Sequence, residues 1–171
     1  MISSLKPEEQ HRHINGGGWV ANTASVSETA YVGPNAMVYG DAQVFGDACV
    51  SGNARVFGNA WVSGNAQVYG NAMISGQAWV YCDALVFGDA CVYGDAQVFG
   101  DAQVYGHALV YGNAQVYGNA QVYGNALVYG HAQVCDDAKV YCAACVFGNV
   151  MVYGNDIVSG PRTGRGSGGV L

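Results

Sequence analysis

The sequence predicts an all-β solenoid, in which short strands turn at regular corners and stack coil upon coil. A branched aliphatic residue stands at every sixth position from Val20 to Val158, as 23 valines and one isoleucine, without insertion or deletion. Alanine stands two residues before each of these positions from Ala24 to Ala144, and Gly followed by Asn or Asp recurs between them. A repeat this strict is typical of solenoids, so the 171 residues are expected to form one domain.

A single unit, Ala-Gln-Val-Tyr-Gly-Asn at 114–119, explains the prediction. Ala and Val are two residues apart, so in a strand they point to one side while Gln and Tyr point to the other. Gly-Asn and Gly-Asp tolerate the positive φ of a tight turn. Each unit is therefore predicted to be a four-residue strand and a two-residue corner, with Val and Ala inside. A helix is excluded, because a period of six does not match 3.6 and each Gly would cost about 1 kcal/mol.

The segment Tyr31-Val32-Gly33-Pro34-Asn35-Ala36-Met37-Val38 resembles the hexapeptide-repeat family, which places an aliphatic residue at one position and a small residue four positions later. The resemblance implies a triangular, left-handed parallel β-helix with three hexads in each coil, and therefore about eight coils of 18 residues. It covers residues 15–160. The unbroken Tyr-Gly-Asn-Ala variant is similar to uncharacterised bacterial and phage β-helix proteins, some of them labelled putative transferases.

Three segments are predicted along the chain: an N-terminal cap at 1–14, the β-helix at 15–160, and a flexible Gly-rich tail at 161–171. The tripeptide Pro-Glu-Glu at 7–9 favours a helical turn in the cap, which would cover the open first coil. Because the cap segment is polar, no signal peptide is expected. No apolar run approaches the roughly 18 residues of a membrane span, so no membrane association is expected.

The charge balance argues against a nucleic-acid-binding face. The net charge is −6, and no Lys or Arg occurs between Arg55 and Lys139, so the basic surface that nucleic acid needs is missing. An acidic solenoid that mimics nucleic acid is an alternative interpretation.

The cysteines indicate a reducing, cytoplasmic location. No two of the six are separated by one full coil, so none would face another in a neighbouring coil, and a disulfide framework is not expected. All six are expected to be outward, surface thiols. Cys142 and Cys145 have CxxC spacing, and with Cys135 they are the candidates for a metal site, although a single CxxC is no metal signature. No metal or cofactor is expected.

Stacking each coil on the next sorts the outward side chains into three faces, each with a leading column (the residue before Val) and a trailing column (the residue after it). The second and third faces carry Gln in their leading columns, and Gln can form amide ladders. The first face has none. An apolar strip about 38 Å tall and about 10 Å wide covers roughly 400 Å², a size typical of interaction surfaces. The predicted interface residues on the first face are Trp19, Met37, Tyr39, Phe57, Met73, Tyr93, Leu109, Tyr111, Leu127, Tyr129 and Phe147.

These faces favour a non-enzymatic structural or binding protein, a self-associating scaffold that presents a flat surface to a partner. A homo-oligomer is expected, either a trimer or a two-fold dimer, with another protein as a further partner. The alternative is a hexapeptide-type acyltransferase that uses acyl-CoA or a nucleotide-sugar substrate. The resemblance implies a histidine base for such an enzyme, with His107 and His131 as candidates, but the loop excursion that carries the base in the family is missing. Ice binding is a third interpretation, weakened by the scarcity of Thr.

Overall fold

The computed structural model describes residues 6–160 and shows an all-β, parallel solenoid of about eight coils. Within these residues there is no α-helix, and 25 short strands follow one another, numbered β1 to β25 in chain order. They form three sheets, each of which takes every third strand from β2 onward, as the sides of a triangular coil require. The predicted fold class is thereby confirmed. The left hand of the coil stays a prediction from the resemblance.

The strands of sheet A, which carries the first face, are β1 (Gln10–Arg12), β2 (Trp19–Ala21), β5 (Met37–Val38), β8 (Arg55–Val56), β11 (Met73–Ile74), β14 (Cys91–Val92), β17 (Leu109–Val110), β20 (Leu127–Val128) and β23 (Cys145–Val146). Those of sheet B, the second face, are β3 (Ser25–Val26), β6 (Gln43–Val44), β9 (Trp61–Val62), β12 (Trp79–Val80), β15 (Gln97–Val98), β18 (Gln115–Val116), β21 (Gln133–Val134) and β24 (Met151–Val152). Those of sheet C, the third face, are β4 (Tyr31–Val32), β7 (Cys49–Val50), β10 (Gln67–Val68), β13 (Leu85–Val86), β16 (Gln103–Val104), β19 (Gln121–Val122), β22 (Lys139–Tyr141) and β25 (Ile157–Ser159).

The predicted strand length of four residues is wrong, because most strands contain only the leading residue and the Val that follows. Backbone pairing nevertheless extends past the strand. The amide nitrogens of Leu109 and Tyr111 donate to the carbonyl oxygens of Ala126 and Val128 in the next coil, each at 2.9 Å. The chain therefore leaves strand geometry on both sides of the leading residue and Val while its amides stay paired with the neighbouring coil.

The core is the stack of Val and Ala side chains inside the triangle, as the alternation predicts. From Ala30 to Ala144 every repeat Val, Ile or Ala is fully buried. In the middle of the stack Val110 lies in register between Val92 and Val128. Because the interior residues repeat in every coil, each interior side chain packs against equivalent residues in the coils above and below, and the core has nearly the same composition throughout.

Glycine columns form the corners. Gly100 has a φ of +72°, and a Cβ placed there would lie 3.0 Å from the backbone nitrogen of Gly118 in the next coil. Three corner positions hold other residues at positive φ: Cys82 at 61°, Asp136 at 58° and Cys142 at 58°. An L-residue is strained in this region, so these three corners are less favourable than their glycine neighbours.

The N-terminal edge of sheet A is closed by β1, which pairs antiparallel with β2 so that Arg12 lies opposite Trp19. The helical turn predicted before it is a 3-10 helix at Pro7–Glu9. His13 is buried, and its Nε2 lies 3.0 Å from the carbonyl oxygen of Ala30 in the first coil. The antiparallel strand was not predicted, since it lies outside the hexad pattern.

The other end of the stack is more open. Val150 and Asp156 take the place of the inward Ala, and both are only half-buried. The tail predicted at 161–171 lies outside the described residues. Across residues 6–160 no helix is long and apolar enough to cross a membrane.

The inward and outward assignment can be tested with one substitution at two adjacent positions. Val110→Asp should prevent folding, because it places an unpaired carboxylate in the apolar core. Leu109→Asp should leave a folded protein, because Leu109 points outward. Far-UV circular dichroism with urea unfolding measures both. Similar losses of stability in the two variants would contradict the assignment.

Corner strain can be tested within one glycine column. Cys82→Gly relieves a left-handed conformation that costs about 1–2 kcal/mol, against about 0.4–1 kcal/mol of added unfolded-state entropy. We therefore expect a net stabilisation of roughly 0.5–1 kcal/mol. Gly100→Ala, one coil further, should destabilise by at least a similar amount. Urea unfolding of both variants decides this; a Cys82→Gly protein less stable than wild type would show that the thiol contributes more than the strain removes.

Candidate functional site

The structure places five of the predicted interface residues in the strands of sheet A and the six aromatic residues of the trailing column directly after those strands, so the eleven form two parallel outward columns. Within the leading column Leu109 and Leu127 are direct partners in register, between Cys91 and Cys145. The exposed Arg55 interrupts this column in the third coil. The continuous apolar part of the leading column therefore runs from Met73 to the C-terminal end of the sheet.

Aromatic rings stack in the trailing columns. On the first face the centroids of Tyr93, Tyr111 and Tyr129 are 4.9 Å apart in succession, with nearly parallel planes, and Phe147 follows at 5.1 Å. The third face has a longer ladder with centroid distances of 4.8–5.0 Å, formed by Tyr69, Phe87, Tyr105, Tyr123 and Tyr141. Such a pair contributes about 0.5–1.5 kcal/mol beyond its buried area. The trailing columns thus stabilise the stack generally, and the leading columns distinguish the faces.

The N-terminal end of the first face is covered by the chain itself. The Arg12 guanidinium lies 4.0 Å from the ring centroid of Trp19, a cation–π contact. Its Nη1 donates to the carbonyl oxygens of Gly17 and Pro34, at 2.6 and 2.9 Å. Trp19 is therefore already engaged by β1.

Two tryptophans are paired on the second face. The rings of Trp61 and Trp79 have centroids 5.4 Å apart and planes inclined by 25°, and Phe45 lies 5.5 Å from Trp61 at a steeper tilt. Trp79 is 46% exposed. Sequence reasoning grouped these residues with the Gln-rich columns and missed the pair, although their separation by one full coil was the signal for it.

Amide ladders form at the corners, whereas none joins Gln to Gln anywhere in residues 6–160, so that expectation is wrong. Asn53 donates from Nδ2 to Oδ1 of Asn71 at 3.0 Å, and Asn71 donates in the same way to Asp89 at 2.9 Å. The short corner side chains reach their counterparts directly along the stack. The longer Gln side chains have more rotamers and can point elsewhere. Two further corner ladders join Asn65 to Asp83 and Asn119 to Asp137.

The two candidate histidines are not brought together. His107 continues the corner column of Asp89, with Nδ1 at 3.6 Å from Oδ2 of that carboxylate, and its side chain is 69% exposed. His131 is exposed at a different corner, between the first and second faces. Neither lines the open groove formed by Asn119, Gln121, Asp137, Lys139, Asn155 and Ile157. A catalytic role for either histidine belongs to the acyltransferase alternative and stays a hypothesis.

The three candidate metal-ligating cysteines lie at different places: Cys142 at an exposed corner, Cys145 on the first face and Cys135 on the second. Across residues 6–160 no group of three or more His, Cys, Asp and Glu could hold a metal ion. The expectation of six surface thiols is wrong for Cys135, which is 4% exposed. It takes a ring position in the trailing column next to Tyr117, and the larger neighbouring side chains cover the short thiol.

The trailing columns raise the pKa of several tyrosines. A hydrogen bond shared with the Cys135 thiol, together with burial, raises the pKa of Tyr117 to about 12. The Tyr117 hydroxyl also donates to Oε1 of Gln133 at 3.3 Å. Burial, and then the neighbouring phenols of the ladder, raise the pKa of Tyr111 and Tyr123 above the usual 10. Burial is also the main cause of the raised pKa of Tyr39, Tyr81, Tyr93 and Tyr105.

Comparison with known proteins finds a family model that matches part of the repeat region. Four segments, at residues 48–64, 66–81, 102–118 and 120–136, match the family model described as the YdcK Beta solenoid repeat, and together they make up less than half of the chain. Neither the curated proteins nor the solved structures give a significant match. With the coils described above, these matches show a repeat β-solenoid protein. The hexapeptide-repeat resemblance, and the likeness to bacterial and phage proteins, stay predictions.

The raised tyrosine pKa values predict alkaline destabilisation. For a tyrosine whose folded pKa is raised above the unfolded value of about 10, the stabilisation is fully present below pH 10 and is lost as the pH rises through the folded pKa, which is about 12 for Tyr117. The urea midpoint should therefore fall between about pH 8 and about pH 11. The double variant Tyr105→Phe with Tyr123→Phe removes two titrating members of one ladder and should show a smaller fall. An equal fall in both proteins would exclude the ladder as the cause.

Proposed function

We propose that this chain is a non-enzymatic β-solenoid scaffold that self-associates through the first face and leaves its other faces for a partner. The observation that carries the proposal is the leading column of sheet A. The second face has four Gln in its leading column and the third has three, whereas the first has none. Five successive coils on the first face instead present Met73, Cys91, Leu109, Leu127 and Cys145.

The neighbouring features of the first face support the same conclusion. Beside the last four of these residues runs the ring ladder from Tyr93 to Phe147, so both outward columns are apolar over those four coils. Arg55 is the one charged residue in the two columns, and it lies outside this part. A run of five apolar or thiol side chains in the leading column of one face, without Gln, is typical of a surface that is buried against another.

The apolar part of the first face has about half the area of a standard interface. The stack is about 38 Å tall and each side is roughly 18 Å wide, so one face offers on the order of 700 Å², and the five coils from Met73 to Cys145 offer on the order of 430 Å². A standard protein–protein interface buries about 800 Å² on each partner. Because every coil keeps the same register, the face has no loop excursion that would hold a partner away.

Identical flat strips are best buried by closed symmetry, either a two-fold dimer with faces back to back or a three-fold trimer. Leu109 and Leu127 lie near the middle of the apolar part, where an interface excludes water most completely. These two residues are therefore the most sensitive positions for a test.

We expect the wild type to scatter light as a dimer or trimer of the 17.8 kDa chain. Leu109→Asp with Leu127→Asp should give a folded protein of lower mass, because two carboxylates at the centre of the contact would be buried without partners. The matched control is Gln103→Asp with Gln121→Asp, in the neighbouring strands of the third face, and it should keep the wild-type mass. Size-exclusion chromatography with light scattering measures all three proteins.

A wild type that is already monomeric would overturn self-association, as would equal loss of mass in the two double variants. Saturable binding of acetyl-CoA that His107→Ala or His131→Ala abolishes would instead support the acyltransferase alternative.

A further inference from the structure

We propose that the Trp61–Trp79 pair on the second face is a docking site for an arginine-bearing peptide segment of another protein chain. This proposal is independent of the first face and of its self-association.

The pair is an aromatic platform in the middle of a flat sheet, with Trp79 exposed and Trp61 half-buried. The two rings are 5.4 Å apart, and Trp79, at 46%, is among the most exposed large apolar side chains away from the ends of the stack. On the same column Gln43 and Gln97 stand directly below and above the pair. The stack therefore does not require Trp at these positions, since Gln fills equivalent ones. Trp is one of the three residue types enriched among the residues that dominate binding energy at interfaces.

The charges around the platform are of one sign. Asp41 and Asp95 lie along one edge of the second face, and all five carboxylates that flank coils two to five are exposed. From the strand rise and spacing, the Cα of Asp95 is about 8 Å from that of Trp79. The carboxylates along the opposite edge are Asp47, Asp83 and Asp101. Between residues 13 and 138 the sole Lys or Arg is Arg55, on the first face. A ligand of this platform should therefore be a cation with a flat apolar surface.

The molecule itself shows which cation fits a tryptophan in a leading column. At the first coil the Arg12 guanidinium lies 4.0 Å from the ring centroid of Trp19. A guanidinium stacks on an indole and at the same time presents a planar fork to carboxylates, which a lysine ammonium does not. The same contact at Trp79 would place the fork towards the acidic edges.

Within residues 6–160 no arginine covers the pair. Arg12 is held at the first coil by Gly17 and Pro34. Arg55 lies on the first face, in the strand between those of Met37 and Met73. A partner chain is therefore the source of arginine that the proposal names.

Isothermal titration calorimetry of the full chain with a capped Gly-Arg-Gly-Arg-Gly peptide tests the proposal. We expect saturable binding that weakens with added salt, and at least tenfold weaker binding of the same peptide with citrulline in place of arginine. Trp61→Gln with Trp79→Gln, which restores the chemistry of the neighbouring column positions, should weaken binding at least tenfold. Asp41→Asn with Asp95→Asn should weaken it several-fold and reduce its salt dependence. The control Gln115→Ala, two coils further along the same column, should bind like wild type.

Equal binding by the Trp double variant would overturn the proposal, and so would equal binding of the citrulline peptide or no detectable binding at millimolar peptide. Binding of a neutral oligosaccharide, in preference to the arginine peptide and lost in the Trp double variant, would assign the platform to sugars and equally exclude the proposal.

Discussion

Backbone hydrogen bonds between successive coils are the constraint on which the whole molecule depends. They hold the coils at the spacing of a parallel sheet, and the stacked rings repeat it with centroids 4.8–5.1 Å apart. Every position in the coils therefore lies directly over its counterpart in the next coil, so the nearest neighbours of a side chain are its column partners rather than its neighbours in sequence. This is why Val stacks on Val, ring on ring, and Gly on Gly where a Cβ would meet the next backbone.

Much of the fold can be predicted from the sequence because the six-residue period of Val and Ala is visible in it without interruption. The inward set and the membership of the three faces follow from counting, and the structure confirms both from Ala30 to Val146. Features outside the period could not be predicted. β1 is aperiodic, and the burial of Cys135 depends on the size of the side chains beside it. The prediction of strand length failed for a different reason, since alternation identifies which side a residue faces but not where the chain leaves strand geometry.

Candidate sites stand out in this molecule as departures from a uniform repeat. The core is nearly the same in every coil, so differences between coils are confined to the outward columns and corners. The absence of Gln from the first face could be predicted by aligning columns, because it concerns residue type alone. The tilt and exposure of Trp61 and Trp79 depend on how two large rings share the space of one column, which residue type does not determine. The prediction of Gln ladders failed because residue type does not determine side-chain conformation, and flexible side chains have alternatives to stacking.

Because the hexad register is unbroken, a deletion can leave the interior unchanged and still disrupt the outward faces. Removal of one hexad would keep Val over Val and Gly over Gly, because all three sides of the triangle use the same interior residues. Everything after the deletion would nevertheless turn by one side, so the column of Leu109 and Leu127 would continue a different sheet from that of Met37. Removal of three hexads would shorten the stack by one coil and leave each face on its own side. The interior thus repeats every six residues and the surface every eighteen. Any function that needs a continuous face therefore tolerates changes in chain length only by whole coils.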